Sequence, residues 1–157
     1  MPIVTLEELK PALPKGSTLL GLDLGSKLIG LALSDPSLVV ASPLTTLKRG
    51  KFAADAAALE NLIAGRKIGG LVIGLPVGLD GSEGPACQSA RQFARNFLVR
   101  HDLPILFWDE RFSTAAVTRF LVEEADMSRK RRSKVVDKMA AAYILQGALD
   151  ALGRPRG

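Results

Sequence analysis

Four carboxylates stand where strands or helices are expected to begin or end. Asp23 closes the apolar run Leu19-Leu20-Gly21-Leu22, Asp109 and Glu110 close Ile105-Leu106-Phe107-Trp108, and Asp137 opens an Ala-rich helix that starts Val135-Val136. A parallel sheet that sets the first two ends side by side, crossed by the last helix, brings these acids together. Clustered carboxylates offer hard oxygen donors to Mg²⁺ or Mn²⁺, the chemistry that phosphodiester hydrolysis requires. Each acid alone also has a simpler reading. Asp before Gly steadies a tight turn, Asp109 and Glu110 fit a solvated strand end, and Asp137 suits the electropositive start of a helix. Alternation sends Asp109 and Glu110 to opposite sides, so one of the two points at the site, and the sequence leaves open which.

Cations accompany the acids. Formal net charge is +5 and the sequence pI is about 9.7. The excess concentrates in Arg129, Lys130, Arg131, Arg132 and Lys134, with Lys48, Arg49 and Lys51 as a second group. Such runs offset phosphate charge and release counterions from a nucleic acid; alone they also fit a solvated face. Arg111 is either a salt-bridge partner of the acids before it or a phosphate clamp, and Lys138 either neutralises a phosphate or projects into water. The segment from Gly74 through Pro76, Asp80 and Gly81 to Pro85 is a glycine-rich loop leading into a helix N-terminus, where backbone N–H groups can hold a phosphate. No Gly-Lys-Ser/Thr follows, so it is not a Walker loop. His101 reads as a surface residue. Cys87 faces either the core or the loop, with nothing in the sequence to activate it.

The elements that must position these groups follow from periodicity. Thr5-Leu6-Glu7-Glu8 is a capping box for a short helix ended near Pro11 and Pro14. Leu19 to Leu24 and Leu28 to Leu33 form a hairpin around Gly25-Ser26, and Val39 to Leu47 makes a third, edge strand that tolerates Pro43. Phe52, Ala56, Leu59 and Ile63 recur at helical spacing, and Gly69-Gly70 ends that helix before the strand Leu71 to Leu75. Ala86, Ala90, Phe93 and Phe97 line a long helix, and Leu103 to Trp108 is the last strand. Ser113 or Thr114 caps a helix burying Val117, Phe120 and Leu121; Asp126 to Lys134 reads as a polar linker; Val135 to Leu152 is the final helix. A hairpin followed by strands alternating with helices implies a mixed sheet covered on both faces.

The bulk properties narrow the function classes. A chain of 157 residues, 47% apolar and 24% charged, suits one domain with a continuous core. We expect an arm over 1–18, the domain over 19–152 and a tail over 153–157. No window holds eighteen uninterrupted apolar residues, which argues against a membrane span. The first residues lack the pattern of a secretory signal and the single cysteine forms no internal disulfide, so the cytoplasm is the expected compartment. An ATP-binding fold of the actin and Hsp70 kind also starts with a strand ending Asp-x-Gly, but it needs two such domains around the nucleotide. A non-catalytic nucleic-acid or ribosome-binding module accounts for the charge yet not for the recurring acids.

Six spaced motifs then occur in order: Gly21-Leu22-Asp23-Leu24-Gly25, Ile29-Gly30-Leu31-Ala32-Leu33-Ser34-Asp35, Gly74-Leu75-Pro76, Asp80-Gly81-Ser82-Glu83-Gly84-Pro85, Asp109-Glu110-Arg111 and Val136-Asp137-Lys138-Met139-Ala140-Ala141. In this the chain resembles the YqgF family, also called the RuvX or Holliday junction resolvase-like family, over Leu19 to Leu149. The resemblance implies an RNase H-like α/β fold, five strands in the order 3-2-1-4-5 with helices on both faces. It implies a Mg²⁺- or Mn²⁺-dependent nuclease that matures the 5′ end of 16S ribosomal RNA, with branched DNA as the alternative substrate. Structured RNA of a ribosomal precursor is the favoured partner, and the protein is expected as a monomer or weak homodimer. Carried over by motif, the acidic set is Asp23, the Asp109-Glu110 pair and Asp137. Related resolvases end the fourth strand in an acid; here it ends Gly-Leu-Pro, so the second carboxylate comes from the fifth. Two departures touch phosphate contacts: Leu28, beside Lys27, stands where the family commonly has Arg, and Gly78 where it often has Asn.

Overall fold

The mostly apolar runs Thr18–Leu24 and Ile68–Leu75 are buried at six and eight successive positions, the mark of strands in the middle of a sheet covered on both sides. A computed structural model of the chain defines residues 3–112 and 129–153, apart from the side chains of 129–138. In chain order the elements are α1 (Leu6–Ala12), β1 (Thr18–Leu24), β2 (Leu28–Ser34), β3 (Ala41–Lys48), α2 (Phe52–Gly65), β4 (Ile68–Leu75), α3 (Pro85–Arg100), β5 (Ile105–Asp109), a 3₁₀ turn (Glu110–Phe112) and α4 (Arg129–Leu152). The sheet has five strands in the order β3-β2-β1-β4-β5, as the resemblance implies. β1 pairs antiparallel with β2 and parallel with β4, and β4 runs parallel to β5. The C-terminal ends of β1, β4 and β5 therefore share one rim of the sheet, the rim where α/β folds place their ligands.

Strand alternation sorts the core into two layers. Leu20, Leu22, Leu71, Ile73 and Ile105 pack with Ala56, Leu59, Phe93 and Phe97 under α2 and α3. Leu19, Val72 and Leu106 point the other way and pack with Ala140, Ala141, Ile144, Leu145 and Leu149 of α4, together with Val4 and Leu9 from the first residues. The capping box of α1 is present: the Thr5 N–H donates to Glu8 Oε1 at 2.9 Å and the Glu8 N–H to Thr5 Oγ1 at 3.3 Å.

Four expectations need correction. β3 starts at Ala41 rather than Val39, because the Asp35 carboxylate takes the Val39 and Val40 N–H groups at 2.8 and 2.9 Å and holds them in a turn. On α3 the buried stripe is Cys87, Ala90, Ala94 and Phe97 with Phe93 beside it, while Ala86 is exposed. His101 is half-buried, its ring stacked 5.8 Å from Phe97 and its Nδ1 3.5 Å from Glu60 Oε2. The basic run is no linker. α4 begins at Arg129, and a stretch of Arg and Lys without Gly or Pro is a good helix former. The helix expected around Val117, Phe120 and Leu121 lies outside the described residues.

Candidate active site

Asp23 is the next-to-last residue of β1, on the face that α4 covers. Leu20 and Leu22 point to the α2/α3 layer and Leu19 to the α4 layer, so alternation places Gly21 and Asp23 beneath α4. Asp23 is only 4% exposed. α4 comes this close because β1 has no side chain at Gly21: a Cβ there would lie 2.8 Å from Leu145 Cβ and 3.0 Å from the Ala141 carbonyl oxygen. Ala140 and Ala141, fully buried, complete the seat.

β5 resolves the two neighbouring acids by direction. Phe107 belongs to the α2/α3 layer and Trp108 to the α4 layer, so Asp109 continues on the α3 side and Glu110 on the α4 side. Asp109 is tied to Arg111: Oδ1 accepts the Arg111 backbone N–H at 2.9 Å, and Oδ2 accepts Nη2 at 2.6 Å. That guanidinium holds the Asp109 carboxyl below the usual carboxylate range. Arg111 is thus a salt-bridge partner, its guanidinium also 5.7 Å from the Phe112 ring centroid. Glu110 is 3% exposed and reaches over β4. A Cβ at Gly74 would be 3.3 Å from Glu110 Cγ and 2.5 Å from Ile144 Cδ1. The missing side chain at the fourth strand leaves the room that the longer Glu110 side chain occupies. Gly74 itself is inside β4 rather than in the loop after it. Since Leu22 pairs with Ile73, Asp23 comes beside Gly74 from β1, while Glu110 reaches Gly74 from the 3₁₀ turn after β5.

The loop from Pro76 to Gly84 folds on itself beside Arg111. Asp80 Oδ1 accepts the Ser82 N–H at 3.0 Å and its hydroxyl at 2.7 Å, and these bonds lower the Asp80 pKa. Gly81 takes a positive φ of 87°, and a Cβ on it would be 3.8 Å from Arg111 Nη1. Pro76 is exposed at the start of this loop. Glu83 accepts from Arg91 Nε and Nη2 at 2.7 and 2.8 Å, which lowers its pKa and fixes the loop to α3. Cys87 sits in the core with its thiol pushed up, first by burial and then by the nearby Glu83 carboxylate. Lys27 is exposed at the β1–β2 turn.

Asp137 and Lys138 belong to α4, eight and nine residues past Arg129, so Asp137 is not at a helix start and the dipole does not account for it. Their side chains, and those of Arg129, Lys130, Arg131, Arg132 and Lys134, lie outside the described residues. Two features beside these acids were not legible in the sequence. One is the space over Gly74, whose only signal was the missing fourth-strand acid. The other is Arg49, which belonged to a cation run but donates Nη1–H to the Gly25 carbonyl at 2.7 Å.

Among the described residues no helix is long and apolar enough to cross a membrane. The solved structure of Thermus thermophilus RuvC in complex with a Holliday junction substrate superposes with a TM-score of 0.52 at 13% identity, covering 87% of this chain and 96% of that one. At that identity the likeness is one of fold. In sequence the chain is 61% identical over 156 residues to a protein of Rhodospirillum rubrum, covering 99% of this chain and 97% of the relative, which carries the name "Putative pre-16S rRNA nuclease". A relative of the same name from Phenylobacterium zucineum is 59% identical over 153 residues, covering 97% of this chain and 98% of its own. The sequence profile described as RuvX, Holliday junction resolvase, matches residues 17–151, and by these matches, on a fold of this topology, the chain belongs to the RuvX family.

Proposed function

We propose that this chain is a metal-dependent nuclease acting on the 5′ end of the 16S ribosomal RNA precursor in the cytoplasm. The observation that carries the reading is the pair Asp23 and Glu110, both buried on the α4 face at the C-terminal rim and flanking Gly74. Two carboxylates are hard oxygen donors, a donor set that fits Mg²⁺ or Mn²⁺. Asp137 is the third ligand in this reading, because it lies one helical turn before Ala141, the residue seated on Gly21. Such ions supply an activated water and charge stabilisation for the attacking and leaving oxygens.

This chain's residues supply the rest. Asp23 is held by the end of β1 under a packed helix, and Glu110 by the 3₁₀ turn that directly follows β5. Asp109 stays out of the donor set, since it faces α3 and is committed to Arg111. That pair orders the turn that presents Glu110, and Arg111 acts on substrate only through it. Lys27, Lys138 and the cations from Arg129 to Lys134 line the path of the phosphate backbone, adding affinity without sequence preference. The chain acts as a monomer or weak homodimer on structured RNA. The alternative substrate, branched DNA, requires two symmetric sites and hence a stable dimer.

Incubating the purified protein and Mn²⁺ with ribosomal precursor RNA, single-stranded RNA and a four-way DNA junction tests the assignment. Trimming of the precursor is expected; cutting of the junction alone would move the substrate to DNA. Asp23→Asn should abolish cleavage and keep binding, and full activity in that variant would remove Asp23 from the mechanism.

A further inference from the structure

The turn that follows Asp23 is held from outside the site. Within the turn, the Gly25 N–H donates to the Asp23 carbonyl at 3.2 Å and to the Leu28 carbonyl at 2.9 Å. From the connector between β3 and α2, the Arg49 N–H donates to the Lys27 carbonyl at 2.8 Å, and Arg49 Nη1–H donates to the Gly25 carbonyl at 2.7 Å. The half-buried guanidinium lies 5.9 Å from the centroid of Phe93. That ring is itself fixed, edge-on to Phe52 at 5.3 Å and stacked on Phe97 at 6.4 Å. Next to Arg49, the Gly50 N–H donates to both oxygens of Asp55, at 3.2 and 3.3 Å, and Asp55 is 6% exposed on the first turn of α2. An unbroken set of bonds thus runs from a buried carboxylate and an aromatic cluster, through Arg49, to the main chain of Asp23. The neighbouring Lys27, Lys48 and Lys51 are exposed, whereas Arg49 turns inward.

We propose that Arg49 is a positioning residue, which locks the β1–β2 turn and thereby presets the Asp23 carboxylate for its metal. The inference rests on the metal site proposed above. Arg suits the task because its planar fork reaches a carbonyl while its face lies on an aromatic ring; a Lys ammonium does only the first. Groups bonded directly to a metal ligand are worth about 10–100-fold in metal affinity, and Arg49, acting one step further out through the Gly25 carbonyl, belongs at the low end of that range.

The test follows Mn²⁺-dependent thermal stabilisation and cleavage kinetics in Arg49→Gln, Arg49→Lys, Lys51→Gln and Ile63→Val. Arg49→Gln should raise the Mn²⁺ midpoint by up to about tenfold and lower kcat in step, with the KM for RNA held. Arg49→Lys should recover part of the loss. Lys51→Gln removes an exposed neighbouring charge and should leave the Mn²⁺ midpoint alone, as should Ile63→Val, which loosens the same core layer without touching the turn. A wild-type Mn²⁺ midpoint in Arg49→Gln with a raised KM would make Arg49 a phosphate contact and overturn the inference. An equal midpoint shift in Ile63→Val would reduce it to general stability. If the wild-type protein shows no Mn²⁺ response, the metal-site reading fails, and the inference with it.

Discussion

Gly21 and Gly74 both let α4 lie on the sheet, but a methyl group added at each meets a different kind of obstacle. At Gly21 the new Cβ would stand 2.8 Å from Leu145 Cβ and 3.0 Å from the Ala141 carbonyl, atoms of or next to the helix backbone that cannot rotate away. Carbon atoms rest at roughly 3.5–4.0 Å, so the helix itself must lift. Overpacking of this kind costs about 1–3 kcal/mol, and for a domain of this length 2 kcal/mol lowers Tm by roughly 4–8 °C. At Gly74 the nearest atom is Ile144 Cδ1 at 2.5 Å, the tip of a side chain. A double-mutant cycle separates the two. Ile144→Val removes Cδ1 and should itself cost about 0.5–1.5 kcal/mol, yet Gly74→Ala with Ile144→Val should be more stable than the sum of the single changes by about 1 kcal/mol. Leu145→Ala keeps the Cβ that Gly21→Ala strikes, so that pair should show no rescue. The assay is urea unfolding of the wild type and the six variants, with Mn²⁺ stabilisation measured alongside, because the proposed metal site draws Asp137 from α4. Gly21→Ala within 0.5 kcal/mol of wild type, or rescued by Leu145→Ala, would refute the close seating of the helix.

Glu110→Gln should reduce Mn²⁺-dependent cleavage to background and shrink the Mn²⁺-induced Tm shift, whereas Asp109→Asn should retain most of both; the reverse pattern would exchange their roles. Arg111 keeps the Asp109 carboxyl depressed, so the pair stabilises the fold above the ordinary aspartate pKa of about 3.9, and that contribution is lost as pH falls through the lowered value. The stability gap between wild type and Arg111→Met should therefore close as urea titrations move from pH 5 to pH 2, and a constant gap would deny the linkage. Cys87, fully buried with its thiol pushed up, should resist alkylating reagents until the protein is denatured; modification at the rate of a free thiol would place it on the surface.

Local pattern was enough for the strands and for a mixed sheet covered on both faces, while the strand order was implied by the resemblance carried by the six motifs. The runs at Leu19 and Leu71 are apolar at every position, which only a strand covered on both sides tolerates, and a hairpin followed by strand–helix units leaves few topologies. The acids at strand ends were equally visible, since a carboxylate closing an apolar run is costly to bury without purpose. What the chain order could not say was which way Asp109 and Glu110 face. That depends on where β5 gives way to the 3₁₀ turn, and on Gly74, which lies some 36 residues earlier in the chain but next door in the sheet. The same holds for the basic stretch at Arg129, read as a linker because it lacks apolar periodicity, although its residues favour a helix once the buried half of α4 anchors them. Arg49 was one cation among several until the fold set its guanidinium between Gly25 and Phe93. Periodicity is a property of neighbours along the chain and so is written in the sequence. The direction of a side chain at an element's end, and the partner it finds there, are set by residues that only folding brings near.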